Sequence, residues 1–108
     1  IKTGGANVAP REIEAVILDC PEVMEAYVAG VPDPVRGQGV AAAGVPRQGQ
    51  QLGDEEPRVR LKSELSAFKR PKLIAFFGEG TLPYRANGKI DKSRLQEVLA
   101  DRLAGNES

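Results

Sequence analysis

The run Val23-Met24-Glu25-Ala26-Tyr27-Val28-Ala29-Gly30-Val31, followed by Val40-Ala41-Ala42-Ala43-Gly44-Val45, decides the fold. The first segment is rich in Val, Ala and Tyr and reads as a strand, with Met24, Ala26 and Val28 on one face and Glu25 and Tyr27 on the other. The second is a small, apolar strand. Pro32-Asp33-Pro34 and Gly37-Gln38-Gly39 make the loop between them. Leu73 to Phe77 is β-prone and aromatic and reads as a third strand. Upstream, Ile1-Lys2-Thr3, Gly4-Gly5 and Ala6-Asn7-Val8 read as a short hairpin whose glycines permit positive φ.

Helical periodicity fills the intervals. Pro10 suits a first helical position, and Glu12 and Glu14 favour the positive end of the helix dipole. Ile13, Val16, Ile17 and Cys20 then recur at i, i+3, i+4 and i+7 as one apolar stripe, which Pro21 ends. Asp54 and Pro57 open a second helix with Leu61, Leu65 and Phe68 on its buried face, stopped by Pro71. Asp91 caps a last helix carrying Leu95, Val98, Leu99 and Leu103. Three strands with helices between them predict an α+β, two-layer domain: a small three-stranded sheet with packed helices plus an N-terminal β-hairpin. The 108 residues make one domain without internal repeats.

Composition removes whole classes of function. With 41% hydrophobic and 28% charged residues the chain is globular rather than disordered. It contains no His, which excludes His-ligated metal sites, a His general base and a Ser-His-Asp triad. Its single cysteine, Cys20, forms no intramolecular disulfide. Fifteen basic residues balance fifteen acidic ones, which argues against bulk attraction to nucleic acid or an anionic membrane. The longest apolar runs, such as Ile74 to Phe77, are far too short for a transmembrane segment. No signal-peptide pattern is present, so the cytoplasm is the expected compartment. Ile1 stands where a Met would begin a complete chain, and the expectation is a piece of something longer.

Three segments invite a functional reading. Gly4-Gly5-Ala6 is either a plain turn or a place where a thin ligand passes against bare backbone. Arg58, Arg60, Lys62, Lys69, Arg70 and Lys72, set against Glu64 alone, give a local charge of +5, whereas residues 1–34 carry −4. That basic run is either a solvated helix face or a phosphate site with Phe68 beside it as a stackable ring. Lys89 follows Gly88 at the end of a long loop, as a surface lysine or as an ammonium presented to a ligand. It is not a Walker A loop, because the upstream glycine and the following Ser or Thr are missing.

Together these segments resemble the C-terminal domain of the acyl-adenylate-forming superfamily: acyl-CoA synthetases, luciferase and the adenylation domains of peptide synthetases. Ile-Lys-Thr-Gly-Gly-Ala-Asn-Val-Ala-Pro-Arg-Glu-Ile-Glu (1–14) is similar to the acyl-CoA synthetase form of the loop after the family's hinge. Gly30-Val31-Pro32-Asp33 with Gly37-Gln38 is similar to its central strand and turn. Phe68-Lys69-Arg70-Pro71-Lys72, Leu82-Pro83 and Asn87-Gly88-Lys89-Ile90 are similar to its closing segment, and order and spacing match over nearly the whole chain.

The resemblance implies a mobile lid over residues 1–108, acting with a large N-terminal domain that binds ATP with Mg2+ and a carboxylic acid. It assigns Lys89 to acyl-adenylate formation. Gly4, Gly5 and Ala6 would line the pantetheine tunnel after rotation, and Phe68, Arg70 and Lys72 would lie beside the nucleotide end of CoA. Phe68 also completes the helix stripe, so core packing is an equal role for it. Some relatives place an aromatic just before Gly-Gln to help hold CoA; Arg36 stands there in this chain. Asn87-Gly88-Lys89 is closer to the peptide-synthetase version, whereas the opening and basic motifs are closer to CoA ligases. CoA is therefore the expected thiol, with carrier-protein pantetheine, or a non-catalytic CoA- or partner-binding module, as the alternatives. The chain alone is expected to be inactive. Fatty acid metabolism is the expected setting, while the particular acid is set by the other domain.

Overall fold

Pro10 starts helix α1 (Pro10–Leu18) after Ala9, whose backbone is extended and whose side chain supplies no cap. Ile13 and Ile17 are fully buried and Val16 partly so, as the stripe predicts. The amides of Asp19 and Cys20 close the last turn before Pro21. The computed structural model describes residues 1–49, 60–61, 63–66 and 69–105. The expected helix start at Asp54 and Pro57, and Phe68, lie outside the described residues. Leu61 and Leu65 are described and buried.

The sheet is organised by β3 (Val23–Asp33) and β4 (Gly37–Pro46), an antiparallel pair in register from Val23↔Pro46 to Asp33↔Gly37. With β3 along one edge of β4, two strands share its other edge. The hairpin strand β1 (Lys2–Thr3), paired to β2 (Ala6–Asn7), meets β4 at Thr3↔Gly37. Strand β5 (Leu73–Phe76) runs parallel to β4 from Ala41↔Leu73 to Gly44↔Phe76. Helix α2 (Lys92–Leu103) is capped by Asp91, whose carboxylate accepts from the Arg94 amide at 3.2 Å.

The α+β class expected from the sequence is the one observed. The hairpin is built into the sheet, making five strands, and helices α1 and α2 take opposite faces. Val28, Val40 and Ala42 pack with Ile13, Ile17, Leu61 and Leu65 on the α1 side. Val31, Ala41, Ala43 and Val45 pack with Leu95 and Leu99 on the α2 side. Odd and even positions of β4 are both apolar, and a strand of that kind is covered on both faces. Two placements are corrected. Pro32-Asp33 and Gly37-Gln38-Gly39, expected in the connecting loop, are the paired ends of β3 and β4. Met24 was expected beside Ala26 and Val28, but the register shifts between Val23 and Glu25, and Met24 packs with Tyr27 on the α2 face. A bulge residue is outside the pairing, so strict alternation fails there.

The outer edge of β3 is covered by side chains instead of a strand. The Val28 amide donates to Glu14 Oε2 at 2.8 Å, Lys92 Nζ donates to the Val28 carbonyl at 3.0 Å, and Gln96 Nε2 donates to the Gly30 carbonyl at 2.6 Å. These contacts satisfy edge groups that would otherwise template pairing with another chain. Gly44 is required by packing: a Cβ there would lie 2.8 Å and 3.0 Å from Phe76 Cε1 and Cδ1. Gly44→Ala should therefore lower stability by about 1–3 kcal/mol in urea unfolding, the usual range for overpacking. An unchanged midpoint would show that the Phe76 ring moves freely.

Candidate functional site

Lys89 sits on a tight hairpin. Leu82 is buried, Tyr84 and Ile90 form an antiparallel bridge, and the Asp91 amide donates to the Pro83 carbonyl at 2.8 Å. The Arg85 amide donates to the Lys89 carbonyl at 2.7 Å, and the Gly88 amide to the Arg85 carbonyl at 2.9 Å. Asn87 Oδ1 accepts from the Lys89 amide at 3.0 Å. Gly88 has φ +85°, a conformation that costs an L-residue about 1–2 kcal/mol. The Lys89 backbone is thus fixed on both sides while the residue itself is exposed. Such a device presents one cation at a defined point of the surface.

Two residues that sequence reasoning missed hold this hairpin. The Tyr84 hydroxyl donates to Glu25 Oε1 at 2.7 Å, and the Tyr27 hydroxyl donates to the same oxygen at 2.7 Å. Burial, then the adjacent Glu25 carboxylate, push the Tyr84 phenol up to about 12 and raise Tyr27 as well, so both remain donors at neutral pH. An acid inside an otherwise apolar strand was the available signal.

The Gly4-Gly5 turn lies at the other end of the sheet. Its φ values are +57° and +87°, the left-handed pair a two-residue hairpin demands. The Gly4 amide donates to the Arg36 carbonyl at 3.0 Å, and Gln38 Oε1 accepts from the Lys2 amide at 3.0 Å. The Gln38 amide reaches that position by lying over Gly30, where a Cβ would come within 2.9 Å of its nitrogen. The Gly-Gly turn, Arg36 and the Gly30…Gln38 motif are therefore one local assembly. Ala6 is half-buried on β2.

Lys72 joins this end. Its Nζ is 2.9 Å from Asp33 Oδ2, and its stem crosses Gly39, where a Cβ would sit 2.6 Å from Lys72 Cδ. Asp33 Oδ1 also accepts from the Val35 and Arg36 amides at 2.8 and 2.9 Å. The Lys72 hydrogen bond first, then those two amides, hold the Asp33 carboxyl at about 2 against an ordinary 3.8. A depressed carboxylate stabilises the fold above its ordinary pKa, and the gain disappears as the pH falls through about 2. Asp33→Asn should therefore lower the melting temperature near neutrality, and the gap should close as the pH approaches 2. Parallel melting curves across that window would show that the bridge does not couple to folding.

Within the basic run, Lys69 Nζ bonds both oxygens of Glu12 at 3.0 and 3.3 Å, and Arg70 Nε donates to the Leu65 carbonyl at 3.1 Å. Lys69 and Lys72 are thus held by carboxylates of other elements, and Arg70 by a carbonyl of the run itself. Glu25 and Asp33 lie at opposite ends of β3, a rise of roughly 26 Å, so the Lys89 hairpin and the Gly-Gly end are separate surfaces of one rigid sheet. Among the described residues no cluster of His, Cys, Asp and Glu is arranged to hold a metal ion, and no helix is long and apolar enough to cross a membrane.

A five-stranded α+β domain carries a lysine on a closed hairpin and a Gly-Gly turn at the far end of the sheet, and solved structures share its fold. The domain superposes on MatB from Rhodopseudomonas palustris with a TM-score of 0.86 and 37% identity, over 95% of this chain and 20% of that one. It superposes on the amide bond synthetase McbA from Marinactinospora thermotolerans with a TM-score of 0.81 and 32% identity, over 91% and 19%. In sequence it is 40% identical to the sulfoacetate–CoA ligase of Cupriavidus necator over 92 residues, which is 85% of this chain and 18% of that protein. It is 37% identical to the oxalate–CoA ligase of Arabidopsis thaliana over 102 residues, 94% of this chain and 20% of that protein. The chain spans about one fifth of the length of these relatives. Residues 12–89 match the AMP-binding enzyme C-terminal domain, and the chain belongs to that family.

Proposed function

We propose that this chain is the lid of an AMP-forming acid–thiol ligase, working with its own N-terminal domain on a carboxylic acid, ATP with Mg2+, and CoA. In the first half-reaction a carboxylate oxygen attacks the α-phosphorus and pyrophosphate leaves. Lys89 serves this step: two anions must approach, and an ammonium between them offsets the repulsion. A unit-charge contact at ~4 Å is on the order of 4 kcal/mol in an effective dielectric near 20, before desolvation. In the second half-reaction the lid rotates, a thiol sulfur attacks the acyl carbon and AMP leaves. Gly4, Gly5 and Ala6 then line the path of the pantetheine arm, with Phe68, Arg70 and Lys72 on the side of the CoA nucleotide.

The observation that carries this reading is the separation of an exposed, backbone-fixed lysine from a side-chain-free turn on one sheet. Two half-reactions served in turn need two such surfaces. The CoA ligases among the relatives support CoA as the thiol. The decisive experiment measures the half-reactions separately in the full-length protein: acid-dependent ATP–pyrophosphate exchange, and thioester formation from supplied acyl-adenylate and CoA. Lys89→Ala should abolish the first and spare the second; exchange at the parent rate would overturn the assignment.

A further inference from the structure

We propose that Glu25 is a positioning residue for Lys89, acting through Tyr84 at the base of the lysine hairpin; the inference rests on the adenylation role given to Lys89 above. The hairpin is closed on itself by the Tyr84–Ile90 bridge and by the bonds among residues 83–91. These bonds fix its shape but not its position on the sheet. Leu82, Tyr84 and Ile90 pack on the α2-side core, and apolar packing of this kind is not directional. Among the described residues, the bond from the Tyr84 hydroxyl to Glu25 is the hydrogen bond that ties residues 78–90 to the sheet. It joins the first residue of the bridge to a strand paired along its length with β4.

The geometry suits a locating pin. Tyr84 is half-buried, and its rigid ring transmits the fixed position of Glu25 Oε1 directly to the hairpin base. The same oxygen also accepts from Tyr27, two residues along the same strand, which holds the carboxylate in one orientation. A lysine side chain is long, so a small tilt at the base is a larger displacement at Nζ. A misplacement near 1 Å at a reacting centre can cost about 10²-fold in rate. Glu25 touches no reacting atom; its effect runs through Tyr84.

The test uses the full-length protein and three variants beside Lys89→Ala. Tyr84→Phe removes the donor and keeps the ring. Glu25→Ala removes the acceptor, and Glu25→Gln restores one. The expected result for Tyr84→Phe is a roughly tenfold fall in kcat for acyl-adenylate formation, with KM for ATP and acid within about twofold and thioester formation from supplied acyl-adenylate unchanged. Glu25→Ala should do the same, and Glu25→Gln should recover most of the loss. If Tyr84→Phe keeps the parent adenylation rate while Lys89→Ala loses it, the positioning role is overturned and the lysine reading stands. If Lys89→Ala is silent, both fall. If Tyr84→Phe slows both half-reactions alike together with a lower melting temperature, the bond is structural only and the inference fails.

Discussion

In the full-length protein, Lys89→Ala should lower acid-dependent ATP–pyrophosphate exchange by about 10²–10³, the usual loss when one preorganised charge contact is removed from a transition state. Thioester formation from supplied acyl-adenylate should stay within about twofold. The split is the informative quantity, because the fold offers no other route to it. Lys89 is exposed, its backbone bonds run through its own amide and carbonyl, and neither involves the side chain. Truncation there should change stability by less than about 0.5 kcal/mol. A loss confined to exchange therefore reports chemistry rather than damage to the hairpin. Lys89→Arg sharpens the result: the charge survives, but a planar fork replaces a compact point charge, and recovery should be partial. Exchange at the parent rate in Lys89→Ala would leave the hairpin as a surface turn, and loss of both half-reactions would mean that the lysine acts on domain docking.

The strands were legible because β-prone residues ran uninterrupted between Gly and Pro punctuation, and the helices because Ile13, Ile17, Leu95 and Leu99 recur at helical spacing. The distribution of helices over both faces was also written in β4, whose Val40, Ala41, Ala42, Ala43 and Val45 leave no polar side to face water. The bulge at Met24 was not legible, since it depends on how Val23 and Glu25 pair with Pro46 and Val45 on another strand. Nor was the Glu25 site, whose partner Tyr84 lies 59 residues away. The same limit applies to the basic run. Its charge was plain in sequence, but Lys69 and Lys72 find Glu12 and Asp33 at separations of 57 and 39 residues. Local pattern gives elements and candidate cations; only tertiary contact decides which carboxylate each one meets.

The second large effect belongs to the Gly-Gly turn. At Gly5, φ is +87° and a Cβ would meet nothing within 4 Å of this domain. Internal packing therefore does not demand glycine there, and backbone conformation demands it only mildly, since an L-residue at positive φ costs about 1–2 kcal/mol and Asn tolerates the region better than most. What a side chain at residue 5 would meet is whatever passes outside the turn. If that is the pantetheine arm, Gly5→Asn narrows the path without unfolding the hairpin. An overpacking cost of about 1–3 kcal/mol, charged to the thiol-transfer step alone, corresponds to a fall of roughly ten- to a hundredfold. Exchange in the same variant should stay within about twofold, the mirror image of Lys89→Ala. Thioester formation at the parent rate would sink the tunnel role of Gly4, Gly5 and Ala6. A parallel fall in both half-reactions with a lower melting temperature would return the two glycines to plain turn formers. The two variants together carry the case: opposite losses from substitutions at opposite ends of one sheet require a lid that serves two chemical steps with two surfaces.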